Sequence, residues 1–293
     1  MKRIVLFLLT NLFVMVTLSI VLNLLGVRPY LDQNGIDYQS LMIFCLVWGM
    51  GGALISLAIS RMSAKWMMGI KLINPQQPGE YAWLYQMVQR LSQSAGLPNT
   101  PEVGVWNGAD LNAFATGPTK SRSLVAFSSG LLSQMSRDEV EGVAAHEIAH
   151  IQNGNMVTMT LIQGVVNAFV MFFARIIAFA VSQFVKDDAR HLVRVVATIL
   201  LDIVFSILAL IVVGWFSRQR EFRADSGSAK LAGREKMISA LEALKKRYDP
   251  RKQVDQPASL AALQISGKSG GLLSLFATHP PLDVRIEALR KFA

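Results

Sequence analysis

The chain has one cysteine, Cys45, in 293 residues. No disulfide within the chain is possible, which fits a soluble portion held in a reducing compartment. Cys45 lies inside an apolar run and reads as a small lipid-facing or packed residue. Charged residues are scarce too, at 17% of the chain, while 52% are hydrophobic and the mean hydropathy is positive. This balance excludes a charged disordered chain and does not suit an ordinary soluble domain. Acid is scarcer than base, with 20 Asp and Glu against 29 Lys and Arg, a net charge of +9. No nucleic-acid-binding motif accompanies that excess, so it reads as membrane topology and headgroup contact, and no nucleic-acid partner is expected. Internal repeats and low-complexity tracts are also lacking.

The hydrophobic residues are gathered into four blocks near the length of about 20 residues that a bilayer span needs. They cover residues 4–27, 41–60, 157–185 and 195–216. The first follows Lys2 and Arg3, as a signal peptide would. Its length, the absence of a clear small-x-small cleavage site and the apolar block soon after it favour a retained anchor. The third and fourth blocks contain Arg175 and Asp202. Charges inside spans are costly and face protein or water; full spanning is the expectation, and a pair of helices dipping into the bilayer is the alternative. Lys2, Arg3, Arg61, Lys65, Lys71, Arg218, Arg220 and Arg223 flank the blocks on one side, which the positive-inside rule assigns to the cytoplasm. Lys186, Arg190 and Arg194 oppose this, offset in part by Asp187 and Asp188.

Between the blocks the pattern is mixed. Residues 79–96 have helical periodicity, and 103–106 and 123–127 read as strands. Ser129-Gly130 turns the chain. Ser136-Arg-Asp-Glu139 resembles a capping box opening a helix over 137–153. Residues 217–248 continue the fourth block as helix, 249–271 read as a surface segment rich in glycine and proline, and a last helix is expected over 282–292. The predicted fold class is α+β, mainly helical: a multi-pass membrane protein with four hydrophobic helices. The expected organisation is an N-terminal transmembrane hairpin (1–61), a first part of a cytoplasmic domain (62–156), a second hydrophobic hairpin (157–216) and the second part of that domain (217–293).

Two of the four histidines fall within His146-Glu-Ile-Ala-His150. Imidazoles four apart on a helix share a face, their Cβ atoms about 6 Å apart, and can grip one zinc ion. Glu147 can then reach a water on that metal as general base. A chance match on a polar helix face is the bland alternative. A zinc hydrolase needs a third protein ligand. Glu221 stands 71 residues beyond His150, but an antiparallel hairpin lies between them, and the two ends of such a hairpin are neighbours. Asp225, one turn further on, can accept the free N–H of a zinc-bound histidine, His146 being the expected partner. Ordinary ion pairs of Glu221 and Asp225 with Arg218, Arg220 or Arg223 are the competing reading.

At this point the chain resembles the HtpX-type membrane zinc metalloproteases and, more distantly, the CaaX prenyl endopeptidases. The resemblance covers almost the whole chain. It rests on the N-terminal apolar hairpin, Asn112-Ala-Phe-Ala-Thr-Gly117, His146-Glu-Ile-Ala-His150, Asn153-Gly-Asn155, Glu221-Phe-Arg-Ala-Asp225 and Thr278-His-Pro-Pro281. It implies a gluzincin-like fold with one Zn2+ per chain on His146, His150 and Glu221, and Glu147 as catalytic acid/base. It also implies a stress-response role in quality control of bacterial inner-membrane proteins. The active site would face the cytoplasm, the clients would be membrane or unfolded polypeptides, and other quality-control proteases would be candidate partners. In its light Asn112, Ala113 and Phe114 look like the edge strand to which an extended substrate adds, with a plain turn as the alternative. His279 and Arg285 are candidate donors to the transition-state oxyanion, with packing or surface contact as the alternative. His191 carries no partner signal and receives no role.

The expected reaction is endoproteolysis by a zinc-activated water. Three rivals are weighed against it. One is an intramembrane metalloprotease drawing a ligand from Asp202, whose Leu201-Asp202-Ile203 lacks the glycine that usually follows. A non-catalytic membrane scaffold or chaperone stabilised by zinc is the second, and it leaves Glu147 without purpose. The third, a polybasic lipid- or nucleic-acid-binding protein, is opposed by the scattered charge.

Overall fold

A computed structural model of the chain describes residues 37–77, 79–247 and 277–291. The first expected span (4–27) and the surface segment 249–271 lie outside these residues. The chain divides into two units, one formed by the chain up to Ile55 with Thr160–Val212, the other by Ser56–Met159 with the chain from Val213 onward.

Three described helices are long and apolar enough to cross a membrane. They are α1 (Tyr38–Met68), which contains the second block, and two later helices, Asn155–Ser182 and Asp187–Ala232, that hold the third and fourth. Within the first unit, Tyr38, Met42 and Cys45 pack against Phe172, Ile176 and Phe179, so Cys45 is a packed residue. Gly49 makes this approach close: a Cβ there would stand 2.7 Å from the Ala168 backbone nitrogen. Arg175 turns one guanidinium nitrogen to the Met171 carbonyl (2.9 Å), satisfying a donor inside its own apolar helix. The helix at 187–232 leaves Ile199, Leu200, Ile203, Ile207 and Leu208 about half exposed, as a lipid-facing surface does.

The second unit is built on a four-stranded sheet. Its strands are β1 (Lys71–Leu72), β2 (Glu102–Trp106), β3 (Ala113–Thr119) and β4 (Arg122–Ser128), in the order β1-β2-β4-β3. β2 and β4 run parallel, the outer pairings are antiparallel, and β3 forms an edge. The pleat of β4 explains its four consecutive buried apolar residues. Val125 and Phe127 point into the main core, while Leu124 and Ala126 meet Ile70 and Trp106 on the other face.

The main core is closed by α2 (Ala82–Ser94), which buries Leu84, Met87, Val88 and Leu91 at helical spacing, preceded by a 3-10 turn at Gly79–Tyr81. A six-residue helix α3 (Ser129–Gln134) stands where the sequence suggests only a turn; Ser128 caps it by accepting from the Leu131 N–H. Then comes α4 (Arg137–Asn153), opened by the expected capping box: the Ser136 Oγ accepts from the Glu139 N–H, and the Glu139 carboxylate accepts from the Ser136 N–H (2.7 Å). The chain continues as α5 (Asn155–Ser182), α6 (Asp187–Ala232), α7 (Arg234–Arg247) and α8 (Leu282–Arg290). The helical stretch expected over 217–248 is interrupted at Gly233, whose φ of 97° separates α6 from α7.

Helix α4 is enclosed, with His146 to Ala149 all buried. Small residues let its neighbours approach. At Gly142 a Cβ would stand 2.5 Å from the Lys236 carbonyl oxygen of α7, and the Gly142 carbonyl accepts from Ser228 Oγ of α6 (2.9 Å). Neither backbone can yield as a flexible side chain would. Gly142→Ala is therefore expected to destabilise by about 1–3 kcal/mol, read as a lower thermal midpoint of the detergent-purified protein. An unchanged midpoint would show that α4 and α7 can separate freely.

Candidate active site

The capping box and the buried face of α4 set the direction of the two histidines. His146 and His150, one turn apart, bring their Nε2 atoms to 3.1 Å with the rings nearly perpendicular. Glu221, 1% exposed, comes from α6 beyond the apolar 195–216 stretch. Its Oε1 lies 3.3 Å from His150 Nε2 and its Oε2 lies 3.5 Å from His146 Nε2. Among the described residues these three form the cluster able to hold a metal, with ligand atoms within 4.8 Å of one another; Asp202 is not in it.

The donor set fits zinc. Ligands about 2.0–2.1 Å from a tetrahedral ion stand about 3.3–3.4 Å from each other; the two Nε2 atoms are 3.1 Å apart, and each has a different oxygen of Glu221 beside it, at 3.3 and 3.5 Å. Two neutral nitrogens and one carboxylate also leave a tetrahedral position open.

Behind the ligands is a layer of fixed charge. Asp225, four residues past Glu221, puts Oδ1 2.9 Å from His146 Nδ1, the partner expected from the sequence, though the ring N–H is not aimed along that line. Arg285 of α8 grips Asp225 through two bonds, Nε to Oδ2 (2.8 Å) and Nη2 to Oδ1 (2.6 Å). Both partners are buried, at 5% and 2% exposure. Burial alone would lower the His146 pKa, but the carboxylates of Asp225 and Glu221 reverse this and raise it to about 10. Without metal His146 therefore carries a proton, which metal binding must release. Burial pushes the Glu147 carboxyl up from its ordinary value, against the pull of His150 and His146 and, least, of the Ala115 backbone amide of β3.

The other sequence-predicted residues fall as follows. His279 sits beside the cluster, Nδ1 2.8 Å from Glu221 Oε2, and is partly exposed. Arg285 is not free to reach out: two of its nitrogens are committed to Asp225, and Nη1 stands 3.7 Å from Glu221 Oε2. Asn112 precedes β3 and is exposed; its carbonyl accepts from the Ser128 N–H (2.9 Å). Ala113 and Phe114 open the edge strand, with Phe114 half-buried near Trp106.

Two residues near the cluster escaped the sequence reading of the site. The Asn155 side chain lies 2.7 Å from His150 Nδ1. Its only signal was the Asn-Gly-Asn that ends the histidine helix. Arg220, next to Glu221, donates to Ser217 Oγ (2.9 Å), and its buried Nε has no partner among the described residues. Its neighbours in sequence, Arg218 and Arg223, left nothing to single it out.

Comparisons with known proteins agree with this geometry. Residues 78–293 match the model of peptidase family M48. The chain is 52% identical over 296 residues to a protease HtpX homolog of Bacillus subtilis (strain 168), covering 98% of each. It is also 52% identical over 295 residues to the protease HtpX of Thioalkalivibrio sulfidiphilus (strain HL-EbGR7), covering 99% of each. Among solved structures, S. mikatae Ste24p shares the fold, with a TM-score of 0.58 at 18% identity over 97% of this chain and 67% of that one. With its apolar helices and its His-His-Glu cluster, the chain belongs to peptidase family M48, the metalloproteases, and is a membrane-bound member.

Proposed function

We propose that the chain is a zinc endopeptidase that cleaves misfolded or damaged membrane proteins, with its site on the cytoplasmic side of a bacterial inner membrane. The observation that carries this is the convergence of His146, His150 and Glu221 next to the buried Glu147. His146, His150 and Glu221 would hold one zinc ion, which when bound supplies Lewis acidity to a substrate carbonyl and to a water. Glu147 then takes the proton from the water and returns it to the leaving amine. β3, at the edge of the sheet, would receive an extended substrate by backbone pairing. The backbone amide of Ala115 in that strand is near enough to act on the Glu147 carboxyl, which would run the substrate next to Glu147. His279, partly exposed beside Glu221, is the better placed oxyanion donor; Arg285 acts through Asp225.

The sidedness rests on Arg61, Lys65, Lys71, Arg218, Arg220 and Arg223 flanking the apolar helices. The domain reading is retained: hairpins over 1–61 and 157–216, and a protease domain assembled from 62–156 and 217–293. Substrates are long polypeptides, and other quality-control proteases are candidate partners.

The test is cleavage of an unfolded membrane protein by the full chain in detergent. Activity is expected to vanish with chelator and return with zinc. Asp202→Asn is expected to keep both metal and activity, whereas Glu221→Gln loses metal. The opposite pattern would transfer the third ligand to Asp202 and make this an intramembrane protease.

A further inference from the structure

His146 and His150 differ in what stands behind them. His146 is backed by a carboxylate, Asp225, which is itself gripped by Arg285. Behind His150 is the side-chain amide of Asn155, its Nδ2 2.7 Å from Nδ1 and buried, at 6% exposure. The chain path that puts it there is specific. In an unbroken helix residue i+5 lies about 140° around the axis from residue i, so its side chain cannot face back to it. Here Gly154 ends α4 in the left-handed region (φ 64°, ψ 35°), its N–H directed to the carbonyls of His150 and Ile151. A new helix starts at once with Asn155 as its first residue. That one-residue break turns Asn155 back onto the ring five positions earlier. A glycine takes this backbone conformation without strain.

Resting on the metal-site reading above, we propose that Asn155 is a positioning residue for the metal. Its amide oxygen accepts the Nδ1 proton of His150 and so fixes the tautomer whose Nε2 lone pair faces His146 and Glu221. A neutral imidazole that ligates through Nε2 keeps its proton on Nδ1, and a buried N–H needs an acceptor. The structure has the amide nitrogen next to Nδ1; the two ends of an amide exchange places by a half-turn, and a proton on Nδ1 requires the oxygen there. A neutral acceptor also suits the charge balance. Glu147, Glu221 and Asp225 are three buried carboxylates, faced by the guanidinium of Arg285. An acceptor without charge orients His150 without adding a fourth.

The test compares Asn155→Leu, close in shape but without an acceptor, with Asn155→Asp, which keeps one. The full chain is purified in detergent. Zinc affinity is read by competition with a chromophoric chelator, and site geometry by the visible spectrum of the Co2+-substituted protein. Asn155→Leu is expected to weaken zinc binding by about 10–100-fold and to shift the cobalt bands, with Asn155→Asp within about threefold of the parent. Thermal midpoints in excess chelator check that all three proteins are folded under the conditions of the affinity measurement. The inference is overturned if Asn155→Leu binds zinc as the parent does. It is equally overturned if Asn155→Asp loses as much affinity. A parent chain that takes up neither zinc nor cobalt sinks the metal site, and the role of Asn155 with it. A metal-loaded parent with an unaffected Asn155→Leu sinks only the role of Asn155.

Discussion

Replacing Glu147 with glutamine is expected to cut peptide-bond cleavage by about 10²–10⁴-fold, the size of a general acid–base contribution, while the metal content stays that of the parent. The two effects separate because Glu147 sits beside a ligand without being one. The cluster able to hold a metal consists of His146, His150 and Glu221, and the Ala115 backbone amide on the edge strand is near enough to act on the Glu147 carboxyl. Glutamine has the same shape, so the packing of α4 against β3 is kept. It cannot take a proton from water. Initial rates on an unfolded protein substrate, measured beside zinc content by atomic absorption, provide the check. A metal-loaded Glu147→Gln protein cleaving at a rate close to the parent would remove Glu147 from the mechanism.

The site was legible in the sequence wherever local periodicity carries the information. Two imidazoles at i and i+4 share a face on any α-helix, and a serine with a glutamate three residues on marks where that helix starts. Glu221, 71 residues away, was legible for a different reason: the apolar blocks between could be counted as out and back, and a hairpin brings its ends together. Asp225 followed from Glu221 by one turn of helix. The fold was legible at the same level, through the apolar blocks now seen in α1, α5 and α6 and through the apolar runs that became β2 and β4.

What stayed hidden depends on pairing at a distance or on a single backbone angle. β3 runs to Thr119 through Gly117 and Pro118, residues that argue against a strand; they are tolerated because β3 is an edge and is bulged between Thr116 and Thr119. Arg285 looked available for a substrate because nothing local shows that Asp225, 60 residues earlier, already holds two of its nitrogens. Asn155 was visible as part of a motif, but its direction depends on the left-handed conformation at Gly154, where the helix ends and restarts.

That Arg285–Asp225 pair is where the second large effect is expected. Asp225→Ala should cost about 3–5 kcal/mol of stability, because it strands a guanidinium in the interior. At roughly 2–4 °C per kcal/mol for a domain of this size, the thermal midpoint should fall by roughly 6–20 °C. The loss is one of compensation, since a buried charge pair contributes little beyond its own desolvation. Removing both charges should therefore do less harm than removing one, and Asp225→Leu combined with Arg285→Leu should recover much of the midpoint. Metal binding should not recover with it. His146 Nδ1 loses the carboxylate 2.9 Å from it in both variants, so zinc affinity should stay about 10–100-fold below the parent in each. Thermal unfolding in chelator reads the stability, and zinc competition reads the affinity. If Asp225→Ala melts within about 2 °C of the parent, Arg285 has found water or another carboxylate, and the pair does not hold α8 to α6. Recovery of both properties in the double variant would mean that Asp225 acts on the metal only by keeping Arg285 neutralised. Recovery of stability alone would assign it two separate tasks: balancing the arginine and orienting His146.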